Sequence, residues 1–304
     1  MNTKQLLMSA AIGTATIFGL NSCGDKKETG TNSTDAEKVL VITAIPDEKI
    51  SDQEIKYKAL ADYLSKELDI KVELSVSKNY DAAVNRFANN EVQLVWFGGL
   101  TGVQARNKVP GAKAIAQGLA DPNYKSYFIA HKDTGLEKSA DFPKAIADMT
   151  FTFGSTKSTS GRLMPTWFLK QETGQTPDEF FKKGVQFRKS GGHVATAEVV
   201  QAGTVQVGAL SYKTYDKLVA DGKIDPSIAK IIWETPSYAD YNFTAHPSLN
   251  ETFGDGFIAK LQKALVECKD EKALASVNRK GIIKAKNSDF DGIVKVAKEL
   301  KFIK

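Results

Sequence analysis

Cysteine is almost missing from this chain: Cys23 and Cys268 are the two in 304 residues. That excludes a disulfide framework and a cysteine metal cluster, and it leaves Cys268 as a packed thiol within a helical stretch. Histidine is equally scarce, and His131, His193 and His246 lack the HExxH or HxH spacing of a zinc site. No GxxxxGK[ST] nucleotide loop occurs, since Lys157 precedes Gly161 instead of following it. No GxSxG elbow occurs either, and Ser158 has no lysine three residues on, which leaves acyl-transfer chemistry without support. An excess of one charge is lacking too: 41 Lys and Arg are interspersed with 36 Asp and Glu, with no basic patch of the kind that grips nucleic acid.

What is present begins with an export pattern. Met1–Ser22 combines one cation, Lys4, with an apolar or small-residue stretch from Leu6 to Leu20 and a small Ser22, which reads as a signal peptide over 1–22. The stretch is too short and too rich in Gly, Ala and Thr to span a bilayer as a helix. Leu20-Asn21-Ser22-Cys23 resembles the lipobox of bacterial lipoproteins, which implies acylation of Cys23 and attachment to a membrane surface. The polar run that follows completes a lipidated, disordered tether over 23–37.

From Lys38 onward, β-rich runs alternate with amphipathic ones. Lys38–Ile45 reads as a buried strand, and Ile55, Ala59, Leu60, Tyr63, Leu64 and Leu68 then fall at helical spacing. Ile70–Val76 and Val92–Phe97 return as strands with a helix over Ala82–Phe87 between them, and the rhythm restarts with Met149–Gly154, Gly184–Ser190 and Val205–Leu210. Such βαβ alternation predicts mainly parallel sheets covered by helices. The length exceeds what one core sustains, so two lobes are expected, joined by the extended pieces Tyr124–Gly135 and Ile231–His246.

In open α/β sheets ligands bind beyond the carboxyl ends of strands, where helices begin. Four such turns here carry suitable groups. "SKNYDAAV" brings Tyr80, with Asn79 and Asp81 as caps; "WFGGLTG" brings Gly98 and Gly99, where a backbone can approach a guest closely. "GSTKSTSGRLMP" brings Ser158, Thr159 and Ser160 before an apolar helix, and "KSGGHVAT" brings His193. A helix start leaves unpaired N–H groups and a partial positive charge, so hydroxyls clustered there suit an anion. Taken singly, each turn is explained as well by capping or packing; their joint occurrence points to one anion site.

The chain resembles the phosphate, phosphite and phosphonate-binding proteins of bacterial ABC transporters. The resemblance runs from about Lys38 to Phe257 and is carried by "ITAIPDE", "ALADYLSKEL", "NYDAAV", "VWFGGLTGVQAR", "FGSTKSTSGRLMP", "PDEFF" and "IIWETP". It implies an α/β, two-lobed, periplasmic-binding-protein-like fold of type II, with a mainly parallel sheet in each lobe and a two-strand hinge. Lobe 1 is then expected over 38–131 plus 241–304 and lobe 2 over 132–240. It also implies ligand contacts from Tyr80, Tyr124, Ser158, Thr159, Ser160 and His193, and from Asp240 with Tyr238 or Tyr241 beside it, Tyr238 being counted in the site.

Binders of aminoethylphosphonate carry a carboxylate at the turn that reads Ser211-Tyr212-Lys213 here, so an amine-bearing phosphonate is disfavoured. Within the family the pattern is most similar to a branch linked to selenate. The implied role is a receptor that delivers a phosphonate, phosphite or related oxyanion to a membrane permease. It is expected to be a monomer, exported and lipid-anchored on the periplasmic or cell-surface side, with no cofactor, no metal and no catalysis. An extracytoplasmic phosphoester hydrolase and an oxyanion sensor for a membrane signalling protein are the alternatives.

Overall fold

The computed structural model describes residues 37–47, 50–189 and 192–304. The signal peptide, Cys23 and all of the tether except Glu37 lie outside these residues. Residues 37–304 form one compact unit. Among the described residues no helix is long and apolar enough to cross a membrane.

The first sheet opens with β1 (Val39–Ala44), β2 (Lys71–Leu74), β3 (Leu94–Phe97) and β4 (Lys113–Gly118). Helices α1 (Ile50–Leu68), α2 (Tyr80–Ala88) and α3 (Gly99–Lys108) connect them. The chain then crosses over to build the second sheet from β5 (Ser126–His131), β6 (Phe151–Thr152), β7 (Val185–Gln186), β8 (Val207–Ser211) and β9 (Ala229–Glu234). With that sheet go α4 (Met164–Thr173), α5 (Pro177–Phe180), α6 (Gly192–Gln201) and α7 (Tyr212–Ala220). It returns through β10 (Asn242–Ala245), α8 (Ser248–Phe253), α9 (Phe257–Val266), α10 (Glu271–Ser276), β11 (Ile282–Lys284) and α11 (Asp291–Glu299).

Strand order is β11-β4-β10-β3-β1-β2 in the first sheet and β7-β6-β8-β5-β9 in the second. Both sheets are mixed: the parallel arrangement expected holds for most strands of each, and β10 and β11 in the first and β5 in the second run against it. β1 runs parallel to β2 and β3, and β6 runs parallel to β7 and β8. β10 is antiparallel to β3 and β4, and β5 is antiparallel to β8 and β9. The cause lies in the crossings. Strands of a βαβ unit all end at the same edge, whereas β5 and β10 start at that edge, arriving directly from the other sheet without a crossover helix.

Two expectations change. Ser126–His131, assigned by sequence to the first lobe, is the strand between β8 and β9 in the second sheet. On α1 the core stripe is Tyr57, Leu60, Ala61, Leu64 and Leu68, while Ile55 points outward at 80% exposure. The two extended pieces do carry the chain between sheets, side by side: Tyr124 and Tyr238 exchange backbone hydrogen bonds of 2.8 and 3.0 Å.

The first sheet carries one continuous core in which Leu40, Leu64, Phe87, Phe97 and Phe243 are sealed from solvent. The second sheet has a separate core on each face, as the two-residue period of a strand demands: Phe128 of β5 joins Phe151, Phe181 and Trp233, and its neighbour Ile129 joins Val200, Leu210 and Tyr215. These cores pack the helices onto their sheets and so place the starts of α2, α3, α4 and α6 after the strands that precede them.

Candidate functional site

Tyr80, Gly99, Thr159 and His193 each lie at or next to the start of a helix that follows a strand, while Ser190 and Gly191 of the fourth turn lie outside the described residues. Asn79 caps α2 by accepting the Ala82 N–H at 2.7 Å, which sets Tyr80 at the first helical position. The Tyr80 hydroxyl is buried, with Ser158 its neighbour, and has no hydrogen-bond partner in the protein. The opening of α4 is wound as a π-turn over Thr159–Leu163, and Ser158 caps it by accepting the Gly161 N–H at 2.9 Å. Gly161 is needed for close approach: a Cβ there would lie 2.9 Å from Ser158 Oγ and 3.0 Å from His193 Cε1.

The triplet joins the two sides of the crevice. Thr159 Oγ1 accepts the Leu100 N–H of α3 at 3.0 Å, and its hydroxyl lies beside Asp240. Gly98 fits for want of a side chain, since a Cβ would stand 3.1 Å from Thr159 Oγ1 and 3.4 Å from Asp240 Oδ1. Ser160 Oγ stands 3.5 Å from His193 Nε2, and its carbonyl accepts the Ser126 hydroxyl at 2.7 Å.

His193 is buried on α6, and burial pushes its imidazole down to about 4, so it is neutral at physiological pH. Its Nδ1 accepts the Ser211 N–H at 3.2 Å. That bond assigns the proton to Nε2, which faces Ser160 Oγ and, at 3.4 Å, the Tyr241 hydroxyl. Asp240 is fully buried on the returning segment; its Oδ1 accepts the Gly99 N–H at 2.8 Å and its Oδ2 has no protein partner. Burial raises this carboxyl to about 7, so near neutrality it holds or shares a proton with whatever lies against Oδ2.

Tyr124 and Tyr238 differ from the other predicted contacts. Tyr124 spends its hydroxyl on Ser211 Oγ and Tyr238 on Ser126 Oγ, each at 2.5 Å. Both therefore brace the crossing between sheets. Tyr241, which the sequence left as an alternative to Tyr238, holds the place beside His193. Its ring stacks on Trp96 with centroids 5.5 Å apart, and its hydroxyl donates to Asp47 Oδ2 at 2.8 Å.

Behind this wall lies a group that sequence reasoning passed over. Arg279 is held by Asp121 through Nε at 2.9 and 3.0 Å, and it covers the rings of Trp96, Tyr124 and Tyr241 at 5.0 to 5.4 Å. Asp47 was missed as well, although its position just past β1, at the carboxyl end of a parallel strand, was a usable signal.

The arrangement gathers buried hydroxyls, a neutral N–H donor and one proton-sharing carboxyl where elements of the two sheets meet. Charge-assisted hydrogen bonds from such donors are short and strong, and they suit a compact oxyanion. Among the described residues no group of three or more His, Cys, Asp or Glu side chains is placed to hold a metal.

Residues 42–290 match the family model described as ABC transporter, phosphonate, periplasmic substrate-binding protein. The chain belongs to this family. It is 35% identical over 274 residues to the "Probable ABC transporter phosphite binding protein PhnD1" of Prochlorococcus marinus (strain MIT 9301), covering 88% of this chain and 91% of that protein. The crystal structure of PhnD1 from Prochlorococcus marinus (MIT 9301) in complex with methylphosphonate superposes with a TM-score of 0.81 at 36% identity, over 88% of this chain and 99% of that one. A binding protein component of an ABC phosphonate transporter from Pseudomonas aeruginosa shares the fold, with a TM-score of 0.73 at 19% identity over 86% of each chain. This is the α/β periplasmic-binding-protein fold of type II. Members of the family are binding components of transporters and work outside the cytoplasm.

Proposed function

We propose that this chain captures a small phosphorus oxyanion, phosphite or an alkylphosphonate such as methylphosphonate, and presents it to an ABC permease. The observation that carries this reading is the meeting of two buried, unpartnered polar atoms, Tyr80 Oη and Asp240 Oδ2, with the Ser158–Ser160 hydroxyls and the neutral His193. Ser158, Thr159, Ser160, Tyr80, His193, Asp240 and Tyr241 hold the guest; Tyr124 and Tyr238 support them from the hinge. Lobe closure about that hinge turns occupancy into a shape that a permease reads. The chain acts as a monomer, anchored to the membrane by acylated Cys23.

The site has no catalytic role in this reading. Ser160 and His193 lie together as a nucleophile and base would, but the bond from Ser211 N–H to Nδ1 leaves the Nε2 proton pointing at Ser160. A ring so protonated cannot withdraw a proton from the serine.

A calorimetric panel of methylphosphonate, phosphite, phosphate, sulfate and selenate at pH 7.5 tests the proposal. One phosphorus oxyanion is expected to bind tightest. Sulfate and selenate bind at least about 100-fold more weakly, because they carry no proton to offer a buried acceptor. A selenate titration as tight as the best phosphorus anion moves the ligand assignment, and absence of binding by all five overturns the receptor reading.

A further inference from the structure

Asp47 lies outside the predicted contacts, yet three separate bonds tie it to the crevice. Its Oδ2 accepts the Tyr241 hydroxyl at 2.8 Å, and its Oδ1 accepts Gln53 Nε2 at 3.1 Å. Its backbone carbonyl accepts the His193 N–H from the opposite side at 3.3 Å. The Gln53 amide cannot turn away, because the same Nε2 donates to the Ile45 carbonyl at 2.8 Å. An ionised carboxylate only accepts, and a tyrosine hydroxyl has one proton. With that proton committed to Asp47, the Tyr241 oxygen offers lone pairs to the crevice, where His193 Nε2 stands 3.4 Å away.

We propose that Asp47 is a positioning residue that fixes the direction of the Tyr241 hydroxyl, so that the site meets its anion with an acceptor there and favours a guest still carrying a P–OH proton. This rests on the oxyanion reading above. Other groups face Tyr241 as well. Tyr80 on α2, Tyr124 before β5 and Asp240 beside it act on its hydroxyl electrostatically, and Arg279, paired with Asp121, lies 5.0 Å from its ring. None of these but Asp47 accepts its proton in the structure.

The Asp47→Asn variant reverses the direction. Its Oδ1 keeps the Gln53 bond, so Nδ2 faces Tyr241 and donates to the phenol oxygen, which drives the tyrosine proton into the crevice. Calorimetric affinity for methylphosphonate at pH 6 and pH 8.5 reads the change, because the guest passes from monoanion to dianion between them. The ratio of affinity at pH 8.5 to that at pH 6 is expected to rise about tenfold in Asp47→Asn relative to wild type, one charged hydrogen bond being gained by the dianion. Loss of a nearby negative charge alone would also favour the dianion, so the comparison is repeated in a Tyr241→Phe background. There the Asp47→Asn shift is expected to shrink to the part that charge alone supplies, well below the tenfold seen with Tyr241 present.

A shift of undiminished size in the Tyr241→Phe background, or pH curves of Asp47→Asn and wild type that run parallel, overturns the inference while leaving the receptor reading intact. A wild-type chain that takes up no oxyanion overturns both. If Asp47→Asn does not fold, Tyr241→Phe alone carries the test: deleting the acceptor must raise the same ratio, and an unchanged ratio overturns the inference.

Discussion

Replacing Ser158, Thr159 and Ser160 together with alanine is expected to lower oxyanion affinity at least about 1,000-fold. Hydrogen bonds to a charged partner contribute about 1.5–3 kcal/mol each, and three hydroxyls are lost at one helix start. The fold should survive. Ser158 caps the π-turn through the Gly161 N–H, and losing a cap costs about 1 kcal/mol. Thr159 also receives the Leu100 N–H, which is left without a partner in the variant when the crevice is closed. Titration calorimetry paired with a thermal melt separates the two effects. Affinity within tenfold of wild type in a well-folded variant contradicts the assigned grip.

The second large effect concerns stability and pH. Asp240 titrates near 7 in the folded chain against an ordinary value of 3.8, so across that interval the folded chain holds a proton that the unfolded chain has released. The stability linked to this group is complete below about 3.8 and is lost as pH rises through about 7, a change of about 4 kcal/mol. His193 has the opposite sign. Its folded value of about 4 lies below its ordinary 6.5, so its contribution is present above 6.5 and is lost as pH falls toward 4, about 3 kcal/mol. The two oppose each other, and wild type should show a muted dependence from them.

Asp240→Asn removes one side of that balance. Measured by urea unfolding without ligand, its stability relative to wild type should climb by about 4 kcal/mol between pH 4 and pH 7.5. A constant difference across the range contradicts the buried, proton-holding carboxyl. The same carboxyl that is costly to ionise in the free protein is the one whose Oδ2 lacks a protein partner, so function and instability trace to one atom.

Much of this was legible in the sequence because strands and helices write different periods. β1, β3 and β8 lie where apolar runs predicted them, and the hydroxyl triplet, Tyr80 and His193 lie at helix starts as the turn chemistry required. Sheet membership was not legible. Nothing in the alternation of Ser126–His131 says which sheet completes its hydrogen bonds, and only the bridge between Tyr124 and Tyr238 decides it. Tyr238 and Tyr241 were equally plausible neighbours of Asp240 because an extended segment gives no reason to prefer one. What separates them is Asp47, which takes the Tyr241 proton from 194 residues away in the chain. Ile55 fitted the helical stripe and still faces solvent, because the register of α1 on its sheet is set by Tyr57 and Leu60.

The most direct measurement is a crystal structure of this chain grown with methylphosphonate. The phosphonate oxygens should lie within about 3 Å of the Ser158–Ser160 groups, of Tyr80 Oη and His193 Nε2, and of Asp240 Oδ2, all around one phosphorus atom. A phosphonate bound elsewhere, with those atoms turned away from it, would contradict the account.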